Sequence, residues 1–214
     1  MTVPASAPTD EVGPTASGDP GAVIPISERV LLQRHVDCDR DAFGRLMKLY
    51  STPIYGYLAR TGVGPSERDD LFQEIFCRVH RAAATHPPVG ELKPWLFAIA
   101  VNTVRSHFRS TKVRSVVQLD DGPGVASPAL TDSADRVVEA KQTAAWIESQ
   151  LGKLPLEQRE VLLLCCVEGI GQEDAAHALD VPLNTLKTRL RRARLALAEA
   201  AVRRDSRIEK EAAR

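Results

Sequence analysis

The stretch from Gln172 to Ala198 constrains this chain more than any other part of it. A short helical pattern over Gln172–Leu179 meets a turn at Asp180-Val181-Pro182, and a second helix starts near Leu183, since proline suits a first helical turn. On that second helix Leu186, Leu190, Ala193 and Leu197 share one face and must pack inward. Asn184, Thr188, Arg191 and Leu195 point the other way, with Thr185, Lys187 and Arg192 beside them. Lys187, Arg189, Arg191, Arg192 and Arg194 fall between Val181 and Ala198 with no acid among them. A charge run is ordinarily a solvated face, but bases this concentrated favour a polyanion. Two helices joined by a tight turn, the second one basic, describe a helix-turn-helix. Amide, hydroxyl and guanidinium groups on its N-terminal half suit a major groove.

The rest of the chain reads as helical too. Long Ala/Leu/Arg/Glu stretches are broken by short Pro/Gly clusters, with no alternating β-branched runs. Residues 1–25 hold five prolines among Ala, Ser, Thr and Gly, and that composition cannot bury a core. Helices are expected at Ser27–Val36 and Asp41–Arg60, then from a Ser66 cap to about Ala84, and at Lys93–Ser110. His86–Gly90 is a loop. Residues 112–135 mix Asp-Asp-Gly-Pro-Gly with Ser-Pro and read as a flexible linker. Helical patterning returns at Asp135, with breaks at Gly152–Pro155, Gly169–Gly171 and Asp180–Pro182. The expected fold is all-α, with two small helical domains, 26–111 and 136–200, joined by the linker. A tail at 1–25 precedes them and a charged tail at 201–214 follows.

Two helices of the first domain carry surfaces of interest. Leu71, Phe72, Ile75, Phe76 and Val79 form an apolar stripe, which leaves Asp70, Gln73, Glu74 and Cys77 together on another face. That face is either simply solvated or an acidic-polar dock for a protein. In the Lys93–Ser110 helix, apolar side chains cover most of the circumference. Asn102, Arg105, Ser106 and Arg109 make one narrow polar stripe with Trp95 at its head. An aromatic ring, an amide and guanidinium groups in one row can stack on an unpaired base, bond its edge and hold phosphates. A tryptophan at such spacing is also an ordinary core residue.

At this point the residues resemble a known family. Asp70-Leu71-Phe72-Gln73-Glu74-Ile75-Phe76 and Trp95-Leu96-Phe97-Ala98-Ile99-Ala100-Val101-Asn102 resemble region 2 of the extracytoplasmic-function subfamily of sigma-70 factors. Leu154-Pro155, Gln158–Leu164 and Ala175–Arg194 resemble region 4 of the same group. The resemblance implies a role in promoter-specific transcription initiation. Asp70, Gln73 and Glu74 then match the helix that docks on the clamp of the largest subunit of core RNA polymerase. Asn102 and the His86–Glu91 loop match the elements that capture a base of the minus-10 strand, with Trp95, Arg105, Ser106 and Arg109 along the same stripe. Lys187, Thr188 and Arg192 match positions that contact the minus-35 duplex, among Asn184, Thr185 and Arg191. The linker would thread toward the polymerase active-site channel, where Asp120-Asp121 suits an acidic, strand-mimicking segment. The group is commonly held by an anti-sigma factor, so such a partner is implied as well. Some positions depart from the family's habit. Ser106 stands where many members have Asp, His80 where many have Trp, and Asn184 where Gly is frequent at the turn, a place asparagine tolerates in left-handed geometry.

Other classes fit less of the chain. A free-standing helix-turn-helix regulator explains the C-terminal domain but leaves the Asp70–Glu74 face and the Trp95–Asn102 stripe without a role. No Gly-rich phosphate loop or nucleophile motif is present, so no enzyme and no cofactor are expected. His35-x2-Cys38 and Cys77-x2-His80 have pair spacings able to seat zinc. Cys77 and His80 belong to a helix already accounted for, however, so no metal is assigned. Cys165-Cys166 lies in the apolar run Val161–Val167 and is expected buried. With no run of eighteen apolar residues and no basic segment followed by an apolar one at the N-terminus, neither membrane insertion nor a signal peptide is expected. A cytoplasmic protein with reduced thiols is the expectation.

Overall fold

A computed structural model describes residues 27–115 and 134–212, and every regular element among them is helical. The tail expected at 1–25 and the centre of the expected linker, with Asp120-Asp121, lie outside the described residues. In the N-terminal unit α1 spans Glu28–Val36, α2 Arg40–Thr61, α3 Arg68–Thr85 and α4 Leu92–Ser115. In the C-terminal unit α5 spans Ala134–Lys153, α6 Leu156–Leu162, α7 Gln172–Ala178 and α8 Leu183–Ala212. α8 thus runs on past Ala200, through much of the stretch expected as a charged tail.

Local chemistry sets the helix ends. Asp39 caps α2, its carboxylate accepting from the amides of Asp41 and Ala42 at 3.0 and 3.2 Å. Gly62 closes the same helix in left-handed geometry, φ 98°, with the amides of Gly62 and Val63 returning to the carbonyls of Ala59 and Leu58. Ser66 does not cap α3. Pro65–Glu67 already form a 3₁₀ turn, so Ser66 lacks the extended backbone that a capping side chain needs, and α3 starts at Arg68. Asp69 and Asp70 fill the first turn of α3, where the positive end of the helix favours them.

The apolar stripes read from the sequence become the core. Leu71, Phe72, Ile75, Phe76 and Val79 of α3 meet Leu46, Ile54 and Leu58 of α2 and Leu96, Phe97, Val101 and Val104 of α4, all buried. Each of the largest contributes roughly 1.5–3 kcal/mol by leaving water. In the C-terminal unit Val161, Leu164, Ala175, Leu179, Leu186, Leu190 and Ala193 do the same work. Between α6 and α7 the backbone widens into one π-helical turn, Leu163–Val167. The wider turn rotates the side chains that follow it. Cys165 is half-buried and Cys166 exposed, against the expectation that both are buried.

The units are not joined by the linker alone. Their apolar residues form one continuous cluster, and α4 packs directly on α7. Lys93 on α4 reaches Glu168, with its ammonium 3.1 Å from the carboxylate and 2.6 Å from the backbone carbonyl. Arg159 on α6 donates one guanidinium nitrogen to the carbonyls of Arg60 and Thr61 at the end of α2, at 3.4 and 3.0 Å. Its other terminal nitrogen serves Gly152 and Leu154 at the end of α5, at 2.7 and 2.9 Å. The two helical units expected from the sequence are present, and they also touch one another directly.

Candidate nucleic-acid interface

The turn of the helix-turn-helix is built at Asp180. Its φ of 52° is left-handed, and the amides of Asp180 and Val181 bond the carbonyls of His177 and Ala176. Aspartate tolerates this conformation better than most residues. Asn184, the residue expected to tolerate a left-handed turn, instead sits inside the first turn of α8. Pro182 precedes that turn and, lacking an amide, leaves no donor to satisfy there.

With Leu186, Leu190 and Ala193 buried against α6 and α7, the opposite face of α8 is turned outward. Asn184, Lys187, Thr188, Arg191 and Arg192 are exposed and Thr185 is half-buried. The Thr188 hydroxyl donates back to the Asn184 carbonyl at 2.9 Å, which leaves its lone pairs outward. Arg189, on the flank, pairs with Glu157 at 2.6 Å. Among the described residues Lys187, Arg191 and Arg192 have no acidic partner, so their charge faces solvent. The result is a helix end with three free cations and two short polar side chains on one face.

The polar stripe of α4 is divided. Asn102 and Arg109 are exposed, Ser106 is half-buried, and Trp95 is half-buried against the core. Arg105 is engaged by the C-terminal unit. Its guanidinium contacts the Glu160 carboxylate at 2.7, 3.1 and 3.2 Å and donates to the Leu179 carbonyl at 2.8 Å. Burial pushes the Glu160 carboxyl above its ordinary range, against the pull of Arg105. Burial alone would weaken the charge on Arg105, and Glu160 more than restores it. A cleft of about 490 Å³ opens here, edged by Asn102, Arg105 and Arg109 on one side and Glu157, Asp180 and Arg189 on the other. Thus α4 and the helix-turn-helix share one cleft, a relation that no periodicity in the sequence encodes.

On α3, Asp70 and Gln73 are exposed and Glu74 is half-exposed, held by Arg78 at 2.6 Å one turn on. This face lies apart from the cleft of α4 and α8. The structure therefore groups the candidate residues into an acidic-polar face on α3, a partly covered stripe on α4 and an open basic face on α8.

Residues 46–114 match the family model for Sigma-70 region 2, and residues 144–197 match that for Sigma-70, region 4. Together they define a factor of the sigma-70 class. The ECF RNA polymerase sigma factor SigM of Mycobacterium tuberculosis is 30% identical over 172 residues, covering 80% of this chain and 83% of the relative. The RNA polymerase sigma factor CnrH of Cupriavidus metallidurans is 27% identical, with 80% of this chain and 92% of the relative covered. The chain belongs to the ECF family of RNA polymerase sigma factors. Among solved structures, CnrH in complex with the cytosolic domain of CnrY superposes with a TM-score of 0.60 at 24% identity, over 81% of this chain and 96% of that one. The sigma factor RpoE, in complex with the anti-sigma factor NepR from Bartonella quintana, gives 0.61 at 24% identity, over 73% and 94%. These two likenesses are of fold. No helix among the described residues is long and apolar enough to cross a membrane.

Proposed function

We propose that this sigma factor divides its work among the three surfaces described above. Asp70, Gln73 and Glu74 dock on the clamp region of the largest subunit of core RNA polymerase. Asn102, with Trp95, Ser106 and Arg109, holds the unpaired minus-10 strand, while Arg105, expected on the same stripe, is committed to Glu160 and the Leu179 carbonyl. Asn184, Thr185, Lys187, Thr188, Arg191 and Arg192 read the minus-35 duplex in its major groove. The observation that carries this reading is the outward face of α8, where Lys187, Arg191 and Arg192 stand exposed without acidic partners beside Asn184 and Thr188. Cations so placed displace counterions from phosphate, and the short polar groups reach base edges.

The chain acts by binding and positioning, and the chemistry of transcription belongs to the polymerase. Its place of action is the cytoplasm, where promoter and polymerase are found. An anti-sigma factor is the expected restraining partner, as in the RpoE–NepR pair. Transcription with purified core polymerase tests the proposal. Promoter-dependent initiation that requires this protein is the expected result. Tight duplex binding by the free protein, with no stimulated initiation, would instead describe a free-standing helix-turn-helix regulator and overturn the division of roles.

A further inference from the structure

A second cluster lies in the N-terminal unit and shares no residue with the cleft between α4 and the helix-turn-helix. His35, near the end of α1, and His80, on α3, meet with Nε2 of the first 2.8 Å from Nδ1 of the second. Each histidine has a cysteine three residues away, Cys38 beyond α1 and Cys77 one turn back on α3. All four line one pocket of about 710 Å³, floored by Phe43 and Phe76. Both thiols are free, exposed and unpaired with any disulfide partner.

The backbone under Cys38 supplies an independent sign. Like Gly62 and Asp180, Cys38 closes a helix in left-handed geometry, at φ 71°, with the amides of Cys38 and Asp39 bonded to the carbonyls of His35 and Arg34. Glycine fills that position without strain, and aspartate tolerates it. A cysteine gains nothing there from the backbone, and its Cβ carries the thiol to the rim of the histidine pocket.

We propose that His35, Cys38, Cys77 and His80 form a binding site for one thiophilic divalent cation, with Zn²⁺ the best-matched ion. Two imidazoles and two thiolates are a tetrahedral donor set for zinc. As the side chains stand, no three metal-ligating groups among the described residues surround a common point. Ligation therefore requires the two rings to part and the two exposed thiols to turn inward. The bound ion clamps the end of α1 to the middle of α3, next to Gln73. This inference is independent of the roles assigned to the DNA-facing surfaces.

The test uses the reduced, full-length protein and Co²⁺ as a spectroscopic stand-in, followed by competition with Zn²⁺ and metal analysis after removal of unbound ion. One equivalent per chain is expected, with a thiolate-to-cobalt charge-transfer band and tetrahedral visible bands that zinc abolishes. Cys38→Ser with Cys77→Ser loses the band and the stoichiometric binding, while Cys165→Ser with Cys166→Ser keeps both. Since Cys38 and Cys77 are exposed, helical circular dichroism of the first pair should match the parent and separates lost ligation from lost folding. Zinc should also raise the melting temperature of the parent and leave that of the Cys38/Cys77 pair unmoved. Substoichiometric metal in the parent, or an unchanged band in the Cys38/Cys77 variant, overturns the proposal.

Discussion

The Arg105 guanidinium meets the Glu160 carboxylate at 2.7 Å across the boundary between the two helical units, and the Glu160 side chain is only 1% exposed. A carboxylate so deeply placed depends on its partner. Arg105→Ala strands the charge and is expected to cost about 3–5 kcal/mol. Replacing both partners, Arg105→Met with Glu160→Met, should recover most of that loss, because similar volumes then pack without charge. Urea unfolding of the single and double variants measures the difference. A double variant as unstable as Arg105→Ala would contradict this account of the pair.

The same pair gives a pH dependence with a definite sign. Burial raises the folded-state pKa of Glu160 above its ordinary 4.5, so the folded chain holds this proton more firmly than the unfolded chain. This group's contribution to stability therefore falls as pH rises from about that ordinary value through the raised one. Glu160→Gln removes this contribution. Thermal melts across mildly acidic pH should show a difference between parent and variant that changes through that window and is flat above it.

On α8, Lys187→Ala and Arg192→Ala are expected to weaken promoter recognition by about 1–3 kcal/mol for a base contact, or to lower the salt slope by about one for a phosphate contact. Binding to core polymerase should persist in both. Filter binding and polymerase co-purification read the two properties separately. Loss of polymerase binding in both variants would mean that the docking and DNA-reading faces have been exchanged.

Gly62 offers a test of the fold itself. Its φ of 98° is strained for any side chain, and an added Cβ would stand 3.3 Å from Arg159 Nη1. Gly62→Ala is therefore expected to destabilise by about 1 kcal/mol or more, through the backbone and through a disturbed Arg159. Gly90→Ala, where nothing lies within 4 Å and φ is ordinary, is the control expected to be nearly silent. Equal melting temperatures for parent and Gly62→Ala would refute the strain.

Much of this architecture was legible from local pattern. The stripe Leu71–Val79 on α3 and the inward face Leu186–Ala193 on α8 recur at helical period, and both are buried as that period requires. The outward placement of Lys187, Thr188 and Arg192 follows from the same arithmetic. Helix ends were less legible, because competing local conformations differ by small energies. Pro65 starts a 3₁₀ turn before Ser66 can cap, and Asp180, not Asn184, takes the left-handed turn. The π-helical turn that exposes Cys166 is a departure from helical period, so reading by period cannot find it. Contacts between the units were invisible for another reason. Arg105 and Glu160 are 55 residues apart, and nothing near either one announces the other.

Arg159 spans the closing ends of two helices that belong to different units. Its flat fork has two terminal nitrogens, one committed to the carbonyls closing α2 and the other to those closing α5. A rigid plane cannot follow one set while the other rotates away. Any tilt of one unit on the other must therefore stretch one of these two pairs of bonds, so a single side chain gauges the angle between the closing ends of α2 and α5.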